Sequence, residues 1–216
     1  HQKMKQRCKV LVADDHPIVL EGIKQVLNAA PDMIVGGDAK TGDEVLSKVR
    51  RGGWDVLVLD FRLPGLHGLD LLRQIKRESP SLPVLILSMY AEDQFAVRLL
   101  KGGASGYITK ESAPDELVKA VRKVCAGGKY ISPQLAESLV ETIGQPQDEF
   151  PHHALSGREH EVLCLIGEGH SLSEIAAGLR LSVKTVSTYR TRILQKMRLK
   201  STADLIRYAL QHHLAE

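Results

Sequence analysis

Five polar side chains stand directly after short apolar runs, and their types suit phosphoryl chemistry. Asp14 and Asp15 follow Lys9–Ala13, Asp60 follows Asp55–Leu59, Ser88 follows Pro83–Leu87, and Lys110 follows Ser105–Thr109. If these runs are parallel strands ending at one edge, three carboxylates converge in one crevice. Close like charges repel unless a cation or a proton neutralises them. Oxygen ligands with room for water suit Mg²⁺, a hard cation that pairs with phosphate. A carboxylate beside such an ion can act as a nucleophile and form an aspartyl phosphate. The ammonium of Lys110 can hold one phosphoryl oxygen and the hydroxyl of Ser88 another. An Asp at a strand end usually caps the next helix, and a lone Ser or Lys there is usually a loop residue. Five suitable groups at the ends of four strands go beyond capping.

The elements around these residues alternate. The runs 9–13, 55–59 and 83–87 are apolar without polar alternation, as in strands buried on both faces of a parallel sheet. Weaker strands fit 33–39 and 105–109. Helical periods fall between them, at about 17–29, 42–51, 68–78, 92–101 and 113–126. Five βα units predict a doubly wound, five-stranded parallel sheet of flavodoxin-like order 2-1-3-4-5, with its site at the carboxyl ends of the strands. Past Gly127-Gly128 a helix is expected over about 133–143. The segment Gly144–Pro151 is polar, carries two prolines and reads as a linker. From Leu155 onward every segment is helical in period, with helices at about 156–167, 171–179, 182–197 and 201–213. The expected division is a phosphoacceptor domain over 1–130, a linker helix and flexible linker over 131–151, and a small all-α domain over 152–216.

Composition narrows the function. The chain has 216 residues, 43% hydrophobic and 25% charged, in the range of a soluble globular protein. No apolar run approaches the ~18 residues of a transmembrane helix. Cys8, Cys125 and Cys164 are odd in number, far apart and in no metal-ligand spacing. That argues against a disulfide framework or zinc site and favours a reducing, cytoplasmic location. The adjacent pairs His152-His153 and His212-His213 are expected to face solvent.

Charge is concentrated. Of 29 Lys and Arg residues, seven lie between Arg180 and Lys200 with no acidic residue among them; the remaining 22 face 26 acidic residues, a balance of −4. A compact basic stretch on a mildly acidic chain is an electrostatic footprint for a polyanion. Ser171 and Glu174 stand in capping-box spacing, and Ser182 suits the N-cap of the next helix. Two short helices joined by a tight turn, the second basic, suggest a helix-turn-helix. In the second helix Val183, Val186, Ile193 and Met197 recur at helical spacing and are expected to face the core. Lys184, Ser187, Thr188, Thr191 and Gln195 then face outward, toward base edges. Arg192, Lys196 and Lys200 would meet phosphates.

These residues carry a resemblance. Asp14-Asp15-His16-Pro17, Leu59-Asp60 followed by Leu63–Gly68, Leu87-Ser88 and Gly106–Lys110 resemble the receiver domain of bacterial response regulators, over roughly residues 8–128. The resemblance implies that Asp60 accepts phosphate from a sensor histidine kinase. It implies that Asp15, Asp60 and the backbone carbonyl of Arg62 hold Mg²⁺, with Asp14 acting through water. Ser88 and Lys110 would contact the phosphoryl group, and Tyr107 would be the aromatic that swings inward with Ser88. Arg62 and Tyr90 sit where bulky side chains limit hydrolytic water. Leu155–Glu159, Gly167–Ser171, Glu174–Ala176 and Leu181–Ser187 are similar to the LuxR-type helix-turn-helix, over about 152–214. Together the halves resemble a NarL/FixJ-type response regulator, a DNA-binding transcription regulator rather than an enzyme. Serine at 187 and tyrosine at 189, where lysine and histidine are common, leave the base preference open.

The implied partners are double-stranded DNA with inverted-repeat sites, the kinase and a second copy of the chain, with room for RNA polymerase and none for a membrane. Phosphorylation is expected to release the basic helix from the receiver and favour a dimer. The stripe Leu205, Ala209 and His212 is one candidate seam; packing inside its own domain competes for it. One rival is a dehalogenase-like phosphatase, which needs an Asp at position 62, where Arg stands. The other is a regulator whose receiver is not phosphorylated.

Overall fold

A computed structural model describes residues 7–64, 68–89, 96, 99–112, 114–133, 135–137 and 151–215. They form two compact units, the first ending at Ala136 and the second containing residues 151–215.

In the first unit β1 (Cys8–Ala13), α1 (Pro17–Ala29), β2 (Met33–Ala39), α2 (Gly42–Arg51), β3 (Val56–Asp60), α3 (Gly68–Glu78), β4 (Val84–Ser88), β5 (Gly106–Thr109), α4 (Pro114–Cys125) and β6 (Tyr130–Ile131) follow in order. The sheet is parallel throughout, in the order β2-β1-β3-β4-β5-β6. Every residue of β3 and β4 is buried, as unbroken apolar runs require. Val10, Val12, Val56, Val58, Leu85, Leu87 and Ile108 form one core with Leu20, Ile23 and Leu27 of α1 and Leu117, Val121 and Val124 of α4. Alternation sends Leu11, Leu57, Leu59, Ile86 and Tyr107, also buried, to the other face. Pro17 opens α1, where its missing N–H costs nothing. The carboxyl ends of β1, β3, β4 and β5 therefore share one edge, held in register by Asp60 opposite Leu87 and Ser88 opposite Thr109.

Two features depart from expectation. The sheet has a sixth strand, because Gly106 lets the chain come close: a Cβ there would lie 2.7 Å from the Tyr130 carbonyl oxygen. Cys8 and Cys125 form a disulfide between β1 and α4, with their Cα atoms 6.6 Å apart. That corrects the expectation drawn from cysteine number and spacing, since 117 residues separate two positions that the fold brings together. The helix expected at about 92–101 is described only at Ala96 and 99–101, which are helical. Tyr90, residues 65–67, the linker helix beyond 137 and most of the linker lie outside the described residues.

The second unit has a 3₁₀ turn (Pro151–Ala154) and then α5 (Gly157–Gly167), α6 (Leu172–Leu179), α7 (Val183–Met197) and α8 (Thr202–Gln211). Capping boxes at Ser156/Glu159, Ser171/Glu174 and Ser201/Asp204 start α5, α6 and α8. The Ser182 side chain accepts from the Thr185 N–H and starts α7. Between α6 and α7 the chain turns through Arg180, whose φ of 52° is left-handed. Val186, Ile193 and Met197 are buried as expected, but Val183 is 48% exposed. It occupies the first helical position, about 60° round the helix from the fully buried Val186. Leu205 and Ala209 are fully buried, so packing inside the unit claims the stripe proposed as a seam. Gly167 of α5 allows this: a Cβ there would lie 2.6 Å from the Ala209 Cβ. His152 is also buried, with Nδ1 2.7 Å from the Tyr208 hydroxyl, against the expectation of a solvent-facing pair; His213 is exposed.

Candidate functional site

The strand ends bring the acidic residues together. Asp14 and Asp60 are almost wholly buried, and the Asp15 side chain is 31% exposed. Side-chain ligand atoms of Asp14, Asp15, His16 and Asp60 all lie within 4.8 Å of one another. Lys110 closes the crevice from the end of β5, its Nζ 2.7 Å from Asp14 Oδ2 and 2.8 Å from Asp60 Oδ2. The Lys110 backbone N–H donates to the Ser88 carbonyl at 2.7 Å, which fixes the end of β5 against the end of β4. Asp60 Oδ1 accepts from the Arg62 N–H at 3.1 Å. Ser88 and Tyr107 are both buried, Tyr107 inside the sheet's core.

His16 is the member that the ligand expectation left out. Its backbone N–H donates to Asp14 Oδ1 at 2.8 Å, and its Nδ1 lies 3.1 Å from Asp14 Oδ1 and 3.0 Å from Asp15 Oδ1. Its place directly after two aspartates was the available signal.

The electrostatics follow from burial. Three carboxylates face one ammonium, so the crevice is short of positive charge. Burial raises the Asp60 carboxyl to about 6; Lys110 opposes that rise and the charge of Asp14 adds to it. For Lys110 burial acts downward, but contacts with Asp60 and Asp14 outweigh it and the net shift is upward. Asp14 Oδ2 meets the Lys110 ammonium at 2.7 Å, and buried Asp15 Oδ1 meets only the His16 ring, its Nδ1 3.0 Å away. Three converging carboxylates with one ammonium among them fit a hard cation with oxygen ligands. The cluster can hold a metal ion.

The second candidate surface is α7 with Lys200, which follows it. Lys184, Thr188, Thr191, Arg192, Gln195, Lys196 and Lys200 are exposed and Ser187 is half-buried. The Thr188 hydroxyl donates to the Lys184 carbonyl at 3.0 Å and that of Thr191 to the Ser187 carbonyl at 3.1 Å. With its proton used inside the helix, each oxygen offers acceptor lone pairs outward. Lys184, Arg192 and Lys200 make no ion pair among the described residues. Lys196 differs: its Nζ donates to Glu159 Oε2 of α5 at 2.7 Å. Arg190 is turned to α8, where its Nε donates to the Thr202 hydroxyl at 2.8 Å. Neither tie was legible from helical spacing. No helix among the described residues is long and apolar enough to cross a membrane.

Comparison with known proteins bears on both surfaces. The family described as response regulator receiver domain matches residues 10–122, and that described as bacterial regulatory proteins, luxR family, matches residues 153–209. The response regulator GacA of Pseudomonas aeruginosa is 38% identical over 209 residues, covering 96% of this chain and 98% of the relative. A structure of the response regulator RcsB of Salmonella typhimurium is similar with a TM-score of 0.73 at 30% identity, covering 94% of this chain and 96% of that one. RcsB bound to a promoter in the presence of the phosphomimetic BeF₃⁻ gives a TM-score of 0.70 at 29% identity, covering 94% and 98%. With both halves matched in order, the chain belongs to the two-component response regulators of the NarL/FixJ type, transcription regulators that join a receiver to a LuxR-type DNA-binding domain.

Proposed function

We propose that Asp60 is the phosphoacceptor and that α7 reads DNA. The observation that carries the first assignment is Lys110 Nζ lying within 2.8 Å of both Asp60 and Asp14. A carboxylate oxygen of Asp60 attacks phosphorus as the phosphohistidine N–P bond of a sensor kinase breaks, and the imidazole leaves with the electron pair. Asp14, Asp15, Asp60 and the Arg62 carbonyl would hold Mg²⁺, which when bound offsets the charge gathering on the phosphoryl oxygens. Lys110 and Ser88 take phosphoryl oxygens, and Tyr107 follows Ser88 as the strand ends repack. RcsB was captured on a promoter with BeF₃⁻; that neighbour supports coupling phosphorylation to DNA binding here.

On this reading the two units are the phosphoacceptor and DNA-binding domains, with the linker between them, in a protein acting in the cytoplasm. The exposed face of α7 enters the major groove of an inverted-repeat duplex, one copy per half-site. Thr188, Thr191 and Ser187 meet base edges; Lys184, Arg192 and Lys200 meet phosphates, joined by Lys196 if it leaves Glu159. A second copy is expected through the exposed stripe Ala203, Arg207 and Leu210 of α8, whose opposite face is buried.

Intact mass after treatment with acetyl phosphate and Mg²⁺ tests the central assignment. One phosphoryl addition is expected for the wild type and none for Asp60→Asn or without the metal. Undiminished addition to Asp60→Asn would overturn it.

A further inference from the structure

The first residue of α7 is an exposed valine on a helix otherwise faced with hydroxyls and cations. Ile18, Ile34, Met89, Val183 and Leu210 are the exposed large apolar residues among those described, and Val183 alone of them lies on α7. A single exposed apolar side chain needs no explanation in itself. Its surroundings do. Ser182 and Thr185 share a hydrogen bond of 2.8 Å between their hydroxyls, and the Ser182 oxygen also accepts from the Thr185 N–H. Thr188 is bonded back to the Lys184 carbonyl. The hydroxyl protons of this first turn are used within the helix, while Val183 is about half exposed. At roughly 100° per residue, Val183 lies about 40° round the helix from Ser187, at the border of the outward face.

Recognition helices present their N-terminal residues to base edges in the major groove. The one apolar group on those edges is the C5 methyl of thymine. A valine can neither donate nor accept, so a phosphate or a base amide would gain nothing from it; a methyl group would. We infer that Val183 is a specificity-determining residue that packs against a thymine methyl and selects thymine at one position of each half-site. This rests on α7 being the DNA-reading helix and names one contact it makes. Burying one methyl group corresponds to about a four-fold difference in affinity.

The test uses the full-length chain, treated with acetyl phosphate and Mg²⁺, to select duplexes from a random-core DNA pool. The selected duplex is then synthesised with deoxyuridine replacing one thymidine at a time, which removes only the methyl. Wild type is expected to lose about four-fold at one thymine per half-site. Val183→Ala should bind the thymine and uracil duplexes alike and enrich no base there, while Val183→Ile keeps the penalty. A uracil penalty unchanged in Val183→Ala, or no uracil-sensitive position in the wild type, overturns the assignment of Val183 alone. Indifference of the selected duplex to Arg192→Ala strikes the reading of α7 itself, and this inference falls with it.

Discussion

The acidic crevice and the basic helix are both charged surfaces, yet they are built in opposite ways. In the crevice Asp14, Asp60 and Lys110 are buried and fixed at 2.7–2.8 Å by strand ends in register. On α7 and just beyond it the cations Lys184, Arg192 and Lys200 stand in solvent on flexible stems. Buried charges interact through a low effective dielectric, and removing one strands the others. Exposed charges are screened, and each adds a modest increment to a polyanion. Substitutions in the crevice should therefore act nearly all-or-none, and those on the helix by degrees.

The largest effect is expected at Lys110. Lys110→Ala leaves Asp14 and Asp60 facing each other without their ammonium, a loss of about 3 kcal/mol in stability at neutral pH. Trp54, the only tryptophan of the chain, lies in the first unit and reports its unfolding in urea by fluorescence. Millimolar Mg²⁺ should restore part of the lost stability, because it supplies the missing positive charge. An unchanged midpoint would mean that the carboxylates are already solvated, and the contrast with α7 would disappear.

The next effect separates two cations one helical turn apart. Arg192→Ala is expected to weaken specific and non-specific duplexes alike and to lower the salt slope of binding by about one. Lys196→Ala should change DNA binding less, because Glu159 already holds its ammonium. It should instead lower the stability of the second unit by about 1 kcal/mol, the pair being partly exposed. Equal salt slopes for the two variants would place Lys196 with the free cations.

What the residues disclosed in advance follows this same division between local and distant. Unbroken apolar runs such as Val84–Leu87 marked the buried strands, and a polar residue at the end of each marked the crevice. Ser171 with Glu174 and the cap at Ser182 marked the starts of α6 and α7, because capping acts over three residues. The two-residue strand Tyr130–Ile131 is too short for any period to register. Its place depends on Gly106, 24 residues earlier along the chain. The Cys8–Cys125 bridge, the Lys196–Glu159 pair and the burial of His152 against Tyr208 are contacts between side chains 117, 37 and 56 residues apart. Periodicity carries no trace of such pairings. Val183 differs for a narrower reason: a helical stripe predicts burial only where a neighbour covers it, and the first residue of α7 is left about half exposed while Val186 is covered.

The smallest effect tests the buried carboxylate that holds one cation of α7. Glu159 is buried in α5, where its carboxylate accepts from Lys196 Nζ at 2.7 Å and from the Ser156 N–H at 2.8 Å. Burial is the largest influence on its carboxyl and acts upward; the bonds from Lys196 and Ser156 outweigh it and hold the carboxyl below its ordinary value. A carboxyl depressed in the folded state stabilises the fold fully above its unfolded value, and that contribution fades as pH falls through the folded one. The second unit should therefore lose stability below about pH 4.5. Glu159→Gln lacks the charge at every pH, so the difference in melting temperature between it and the wild type should be largest near neutrality. That difference should shrink as the wild-type carboxyl takes up its proton. Scanning calorimetry of both proteins from pH 7 to pH 3 checks this. No difference at any pH would assign the role of Glu159 to its shape within the capping box, since glutamine can still accept from Ser156. The ion pair with Lys196 would then contribute nothing to the fold, and Lys196 would be available to DNA like its neighbours.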